Sequence, residues 1–588
     1  MSQSVSDFLV ERLAAWGVSR IFGYPGDGIN GVIGALNRAE GKIAFVQSRH
    51  EEAAAFMACG HAKFTGEPGV CLATSGPGAV HLLTGLYDAK ADHQPVVAIV
   101  GQKQRAVVGG DFQQEVDLES AFKDVASAYV ETINAPEQAR HVIDRAFRIA
   151  AAERAPTCII VPADVQELSI RQPKHVHGTV HSGLGYERPI VVPAASQLQR
   201  AAAVLNAGKA VAILIGAGAQ DAAKEVLRAA DVLGAGIAKA LLGKHVVSDA
   251  YPFVTGAIGF LGTRPSYEMM RDCDTLLMIG SGFPYAEFLP EEGRARGVQI
   301  DIEGRMLSLR YPMEVTLHGD SAATLEALLP LLTPKTDRAW REKIEKNVAE
   351  WWDTLEKRAL QDGDPVNPQR VFWELSSRLP DKAMLACDTG TSAHWYSRDL
   401  KLRDGMVAAH SGGLASMGSA IPYAIAAKFA HPERPAIAFV GDGAMQMSGL
   451  AELITVGKYW REWSDPRFVV FVLNNRDLGM VTWEQRVLQG DPKFPASQDL
   501  PNFSYASYAR MLGFDAQVID GNGDVGAALD AALASRQPVV VDIHADPSIP
   551  PLPPNVTAQQ ARDYLMALAK RDPDALKVIK ASVKQMFA

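Results

Sequence analysis

Short apolar runs alternate with helix-length amphipathic segments through almost the whole chain. In the first third, RIFGYPG (20–26), KIAFVQS (42–48), GVCLATS (69–75) and PVVAIVG (95–101) read as strands. EEAAAFMACGHAKF (51–64) and GAVHLLTGLYDAK (78–90) read as helices between them. Strands joined through helices pair in parallel, because a parallel pair needs a long crossover. The pattern therefore predicts parallel sheets with helices on both faces, an α/β architecture. Ligands in such folds sit beyond the carboxyl ends of strands, so function is to be sought just after each apolar run.

The chain has 588 residues, and at roughly 100–200 residues per domain that predicts three domains. Two breaks divide it. Residues 172–195 are rich in Pro, Gly and His and lack a period, and residues 334–369 start with a charged helix and end in DGDPVNPQ. Between them KAVAILIGAGAQ, ADVLGAGIAKA, DTLLMIGSGF and RGVQIDIEG give a second α/β unit; AMLACDTGT, PAIAFVGDG, RFVVFVLNN and QPVVVDIHAD give a third. The expected domains are 1–180, 190–335 and 365–550, followed by a helical tail at 551–588. A net charge of -9 gives nucleic acid no bulk electrostatic attraction. The five cysteines are widely spaced with no CxxC pair, so neither a disulfide framework nor a zinc site is expected. The opening MSQSVSDFLVERLAAWG reads as an amphipathic helix and not a signal peptide. No apolar run approaches the ~20 residues that span a bilayer. The expected location is the cytoplasm.

Two pieces of the last unit carry chemistry. AIAFV ends in Gly441-Asp442-Gly443, and the next strand ends in Asn474-Asn475. Glycines let a backbone approach a ligand closely. A helix read from about Ser448 offers amide groups to an anion. A carboxylate at Asp442 beside an anion makes sense if a divalent cation bridges them. Asn475 and the backbone carbonyl of Asp477 would add hard oxygen ligands, a set that suits Mg²⁺ completed by phosphates and water. Alone, GDG is also an ordinary turn with a capping aspartate. No Walker A loop exists, and GAGAQDA (216–222) lacks the third glycine of a dinucleotide fingerprint.

GDG followed some thirty residues later by NN resembles the thiamine diphosphate (ThDP) enzymes. In that family a glutamate hydrogen-bonds the cofactor's pyrimidine ring; SRHEEAAAFMACGHA resembles the segment that carries it and aligns Glu51 with the catalytic position. Read without the resemblance, Glu51 and Glu52 simply favour a helix N-terminus. GGLASMGSAIP resembles the segment that bends the cofactor, with Met417 as the prop and the Ala415 carbonyl as an acceptor; a core methionine is the plainer alternative. CDTGTSAHW resembles the diphosphate loop, with Gly390, Thr391 and Ser392 as contacts. The resemblance adds Gly443, Ala444, Leu478, Gly479 and Met480 as cofactor contacts. It makes the first domain pyrimidine-binding and the third diphosphate-binding. It also implies a homo-oligomer, a dimer of dimers, in which Glu51 of one subunit meets the diphosphate of another.

The resemblance covers nearly the whole chain and is closest to pyruvate oxidases of the pyruvate:quinone type, through GDGIN, SGPGAVHLLTGLYDA, TGAIGFLG, SGFPYAEF, IDIEG and the ending from PPNVTAQQ onward. It implies FAD on the central domain, at Thr255, Gly256, Ser281, Gly282, Phe283 and Asp301, although these glycines are also plain strand-to-helix turns. The small-molecule substrate implied is a 2-oxo acid, pyruvate, with His81 and Gln114 on the substrate side. Three departures stand out. The family's Ala/Tyr-Phe-Gln-Glu stretch is here Phe112-Gln113-Gln114-Glu115; Met480 and the Trp483–Glu484 pair look more like acetolactate synthase; and KYWREWSDPRF is longer by about six residues, its tryptophans placed either on a neighbouring subunit or over a pocket. Both reactions would begin with decarboxylation to an enamine. An oxidase then passes electrons to FAD, whereas a carboligase joins the enamine to a second carbonyl. The final segment places Leu576, Ile579, Val583 and Phe587 near one helix face with Lys577, Lys580 and Lys584 beside them. That is either a peripheral membrane contact or a helix docked on its own protein.

Overall fold

In the computed structural model, which describes residues 3–586, eighteen strands form three six-stranded parallel sheets. The first holds β1 (Arg20–Gly23), β2 (Ala44–Gln47), β3 (Gly69–Ala73), β4 (Val96–Gln102), β5 (Val130–Thr132) and β6 (Pro156–Pro162), in the order β2-β1-β3-β4-β6-β5. The second holds β7 (Val211–Ile215), β8 (Gly236–Lys239), β9 (Val254–Ala257), β10 (Thr275–Ile279), β11 (Arg296–Asp301) and β12 (Val315–His318), in the order β12-β11-β10-β7-β8-β9. The third holds β13 (Met384–Cys387), β14 (Val407–His410), β15 (Ala436–Gly441), β16 (Phe468–Asn474), β17 (Asp515–Ile519) and β18 (Val539–His544), in the order β14-β13-β15-β16-β18-β17.

The first and third orders are the same arrangement, shifted by twelve strands. In each, the chain leaves one central strand towards one edge and then crosses to the other side. That reversal opens a crevice at the strand carboxyl ends. It falls between β1 and β3, between β7 and β10, and between β13 and β15. The central strands are apolar on both faces: every residue of β3, β4, β7, β13 and β16 is buried. Their Val, Ile, Leu and Ala side chains supply the cores between sheet and helices.

Packing divides the chain into two compact units, Met1–Arg188 with Ala409–Ala438 and Ala444–Phe468, and Pro189–Ala408 with Phe439–Gly443 and Val469–Ala588. Two sequence expectations are corrected. The helix after GDG starts at Asp442 and not near Ser448, because a π-helical stretch at Met445–Gly449 carries it unbroken into Leu450–Tyr459. GAVHLLTGLYDAK is two helices, Pro77–His81 and Leu83–Ala91.

Candidate active site

In the first unit, three loops leave β1, β2 and β3 side by side. Glu51 is the first residue of the helix Glu51–Thr65, capped by the His50 ring, which accepts from the Glu52 amide. The Glu51 side chain is nearly enclosed, the residue being 8% exposed. One carboxylate oxygen lies 3.0 Å from His81 Nδ1, and the His81 and His50 rings are 4.4 Å apart between centroids. The other oxygen lies so close to Gly78 that a Cβ there would sit 3.0 Å from it. Gln114 approaches the same turn from the other side, with left-handed φ +61° and its Cβ against Gly76. Lys103 Nζ donates to Gln114 Oε1 at 3.0 Å and to Asp27 at 3.3 Å. The structure thus gathers Glu51, His81 and Gln114 around Ser75–His81, while Phe112 stands half-exposed.

Still within this unit, Ala415 takes a left-handed φ of +55° and Met417 follows it. The turn is tied down at its start. Gly412 and Gly413 amides donate to Asp92, and the Ser411 hydroxyl donates to Asp88. KYWREWSDPRF also folds back here. Trp463 is buried, stacked on Phe468 and edge-on to Phe429, so this tryptophan is core.

In the second unit, β13, β15 and β16 are neighbours, and their ends carry Asp388–Ser392, Asp442 and Asn475–Gly479. Asp442 is 3% exposed. Its oxygens accept from the Gly443 amide at 2.9 Å and the Arg476 amide at 2.5 Å. Burial pushes its carboxyl up to about 7, with the Asp477 charge adding to the rise and the Arg476, Gly443 and Asn475 amides opposing it. The two asparagines have separate roles: Asn474 Nδ2 donates to Asp542, stitching β16 to β18, whereas Asn475 Oδ1 accepts from the Asp477 amide at the site. The Asp477 carboxylate is already paired, with Lys493 at 3.1 Å and the Thr482 hydroxyl at 2.8 Å. That leaves its backbone carbonyl as its candidate metal ligand. A Cβ on Gly479 would sit 3.0 Å from Asn475 Nδ2 and 3.2 Å from the Thr391 methyl, so those loops converge. Gly390, at φ +110°, opens the helix Thr391–Asp399 without a side-chain cap, and a Cβ on either Gly390 or Gly441 would meet only open space. The Ser392 hydroxyl is committed to the Asp388 carbonyl. A buried carboxylate without a cation, an amide oxygen and an uncapped helix start beside open space together fit a divalent cation carrying a diphosphate.

The central-domain candidates fall in two groups. Ser281, Gly282 and Phe283 follow β10, one of the two strands at the chain reversal, and Asp301 is the last residue of the adjacent strand β11. Thr255 and Gly256 lie in the edge strand β9, where the Thr255 hydroxyl already donates to the Ile237 carbonyl and pairs with Ser266. Gly216, Gly218 and Gly280 let two backbones cross, since a Cβ on Gly280 would come within 2.3 Å of Gly218.

Sequence reasoning missed Lys63, Asp88, Asp92 and Lys103. Asp88 and Asp92 carried a signal: carboxylates one helical turn apart, so on one face of the helix.

With this geometry the comparisons agree. The family models for the thiamine pyrophosphate enzymes match in three places: the N-terminal TPP binding domain at 3–121, the central domain at 198–328 and the C-terminal TPP binding domain at 388–543. The chain belongs to the thiamine pyrophosphate (that is, ThDP) enzyme family and is a ThDP-dependent enzyme. It is 36% identical over 583 residues, 98% of either chain, to YdaP of Bacillus subtilis (strain 168), a thiamine pyrophosphate-containing protein by name. It is 30% identical to the pyruvate oxidase of Lactiplantibacillus plantarum, over 91% of this chain and 87% of that one. It is also 30% identical to the acetolactate synthase isozyme 2 large subunit of Escherichia coli (strain K12), over 93% and 97%.

Proposed function

We propose that this enzyme removes CO₂ from a 2-oxo acid, pyruvate, and transfers the electron pair left behind to FAD, as a pyruvate oxidase does. The observation that carries the cofactor half is Asp442, a buried carboxylate with no cationic partner among the described residues, flanked by Asn475 and an uncapped helix start. Asp442, Asn475 and the Asp477 carbonyl hold Mg²⁺. Gly390, Thr391, Ser392, Gly443, Ala444, Leu478, Gly479 and Met480 hold the diphosphate. Met417 and the Ala415 carbonyl hold the ring end. When bound, ThDP supplies the carbon nucleophile and the electron sink. The Glu51 carboxyl hydrogen-bonds the pyrimidine ring, with His81 as its neighbour at 3.0 Å. His81 and Gln114 face the substrate. Ser281, Gly282, Phe283, Asp301, Thr255 and Gly256 would hold FAD. The domains are 1–180, 190–335 and 365–550, and the enzyme works as a homo-oligomer that pairs Glu51 of one copy with the diphosphate end of another.

A second reading, an acetolactate synthase-type carboligase, is favoured by Trp483, which lines a cleft with Thr391 and Asn475. An anaerobic absorbance spectrum with pyruvate, ThDP and Mg²⁺ separates the two. Bleaching of a flavin band near about 450 nm is the expected result. A band that persists while CO₂ is released overturns the oxidase and supports the carboligase. Absence of any flavin band removes both FAD and the oxidase.

A further inference from the structure

We propose that Lys63, Asp88 and Asp92 are positioning residues that hold the Ser411–Met417 turn in its reactive shape; the inference rests on the reading of Ala415 and Met417 given above. Lys63 lies on the helix that begins with Glu51, and Asp88 and Asp92 lie on and just after the helix Leu83–Ala91. Lys63 Nζ donates to Asp92 Oδ2 at 2.6 Å and to the His410 carbonyl at 2.6 Å, and stands 3.6 Å from Asp88. Asp92 in turn accepts from the amides of Gly412 at 3.0 Å and Gly413 at 2.6 Å. Asp88 accepts from the Ser411 hydroxyl at 2.5 Å, from the Cys59 thiol and from the Tyr423 hydroxyl. The Ser411 oxygen then accepts from the Ser416 amide at 2.8 Å, which closes the turn across Ala415.

Two physical facts separate this cluster from ordinary packing. First, all three charges are buried, and buried ion pairs are often no more stabilising than apolar side chains of the same volume. Stability alone does not explain them. Second, their hydrogen bonds converge on a turn that contains a strained residue. A non-glycine left-handed residue is strained and persists only where the surroundings over-determine it. Ala415 is that residue, and its carbonyl is the proposed acceptor for the cofactor's amino group. Gly413 shows how tightly the turn is seated: a Cβ there would lie 2.8 Å from the Ala91 carbonyl oxygen. The same cluster fixes the Glu51 helix through Lys63, so one buried network sets both elements proposed to act at the reacting end of the cofactor.

The test reads hydrogen–deuterium exchange at the reactive thiazolium carbon of bound ThDP by NMR, with Mg²⁺, together with ThDP affinity. Asp92→Asn, which keeps the size and loses the charge, and Ser411→Ala, a milder change, are the variants. The expected result is exchange slowed by about tenfold or more in both, with ThDP affinity within about threefold of wild type, because misplacement costs rate while the diphosphate anchor is elsewhere. Lys63→Arg should retain most of the exchange rate where Lys63→Met does not. If Asp92→Asn fails to fold, Ser411→Ala decides. Exchange at the wild-type rate in the folded variants overturns the inference and leaves the function standing. A wild-type chain that neither binds ThDP nor accelerates exchange overturns both.

Discussion

Asp442 is held in a state that opposes the fold. Its carboxyl sits at about 7 against an ordinary 3.8, because burial disfavours its charge. A raised folded value means the penalty is absent below pH ~4, grows between pH ~4 and ~7 and is complete above. Without cofactor, the protein should therefore gain stability from this group as pH falls from 8 to 6. Asp442→Asn should raise the melting temperature of the cofactor-free protein at pH 8 by about a degree or more and flatten that pH trend. The same variant should lose Mg²⁺-dependent ThDP binding. Thermal unfolding at the two pH values, with and without ThDP and Mg²⁺, checks both halves. A variant less stable than wild type at pH 8 would mean that the carboxylate serves the fold. Asp442 stood out as a candidate because a glycine-flanked turn directly follows an apolar run, and Glu51 because its segment resembles the one that carries the family's glutamate. The division of labour between Asn474 and Asn475 was not, since it depends on Asp542, which is remote in sequence.

The C-terminal helices dock through a face that the sequence did not single out. Val578 and Ser582 of Ala575–Met586 are buried, Tyr564 and Ser582 share a hydrogen bond, and Trp483 stacks on Tyr564. Leu576, Ile579 and Val583, the apolar face read from sequence, point outward, Leu576 being 86% exposed; Phe587 lies outside the described residues. The anchor is a buried two-point pair between Arg486 and Asp572, at 2.8 Å for each bond. Burial alone would raise Asp572, but Arg486 and two amides hold it below the ordinary carboxylate range. Asp572→Ala removes both short bonds from the buried Arg486 charge and leaves it only the longer contact to Asp574 at 3.2 Å, so docking of the tail should weaken. Trypsin should then cut at Lys570 or Arg571 in the native variant while sparing the wild type; equal resistance would show that the pair does not anchor the tail. Periodicity could see an apolar stripe but not which stripe finds a partner. It failed in the same way after GDG, where the π-helical turn breaks the 3.6-residue pattern. β5 and β17 escaped notice because edge strands are short and partly polar, whereas PTCIIVP in β6 carried a plain signal that was passed over.

At the scale of the molecule, three sheets built on the same reversal place three crevices at strand carboxyl ends, and the first and third share one strand order. Alternation of apolar runs was enough to predict that architecture. It did not reveal the duplicated order, because strand order depends on pairings between segments remote in sequence, which local periodicity does not carry. Nor did it reveal the Lys63–Asp88–Asp92 cluster, whose partners lie more than three hundred residues away. The central claim is that this ThDP enzyme decarboxylates a 2-oxo acid with Glu51 as the residue that bonds the cofactor's pyrimidine ring. The most direct test is CO₂ release from pyruvate by the ThDP- and Mg²⁺-loaded protein, wild type against Glu51→Gln at saturating cofactor. The account predicts steady release by the wild type and a loss of about a hundredfold or more in the variant. Equal rates, or no release by the wild type, would contradict it.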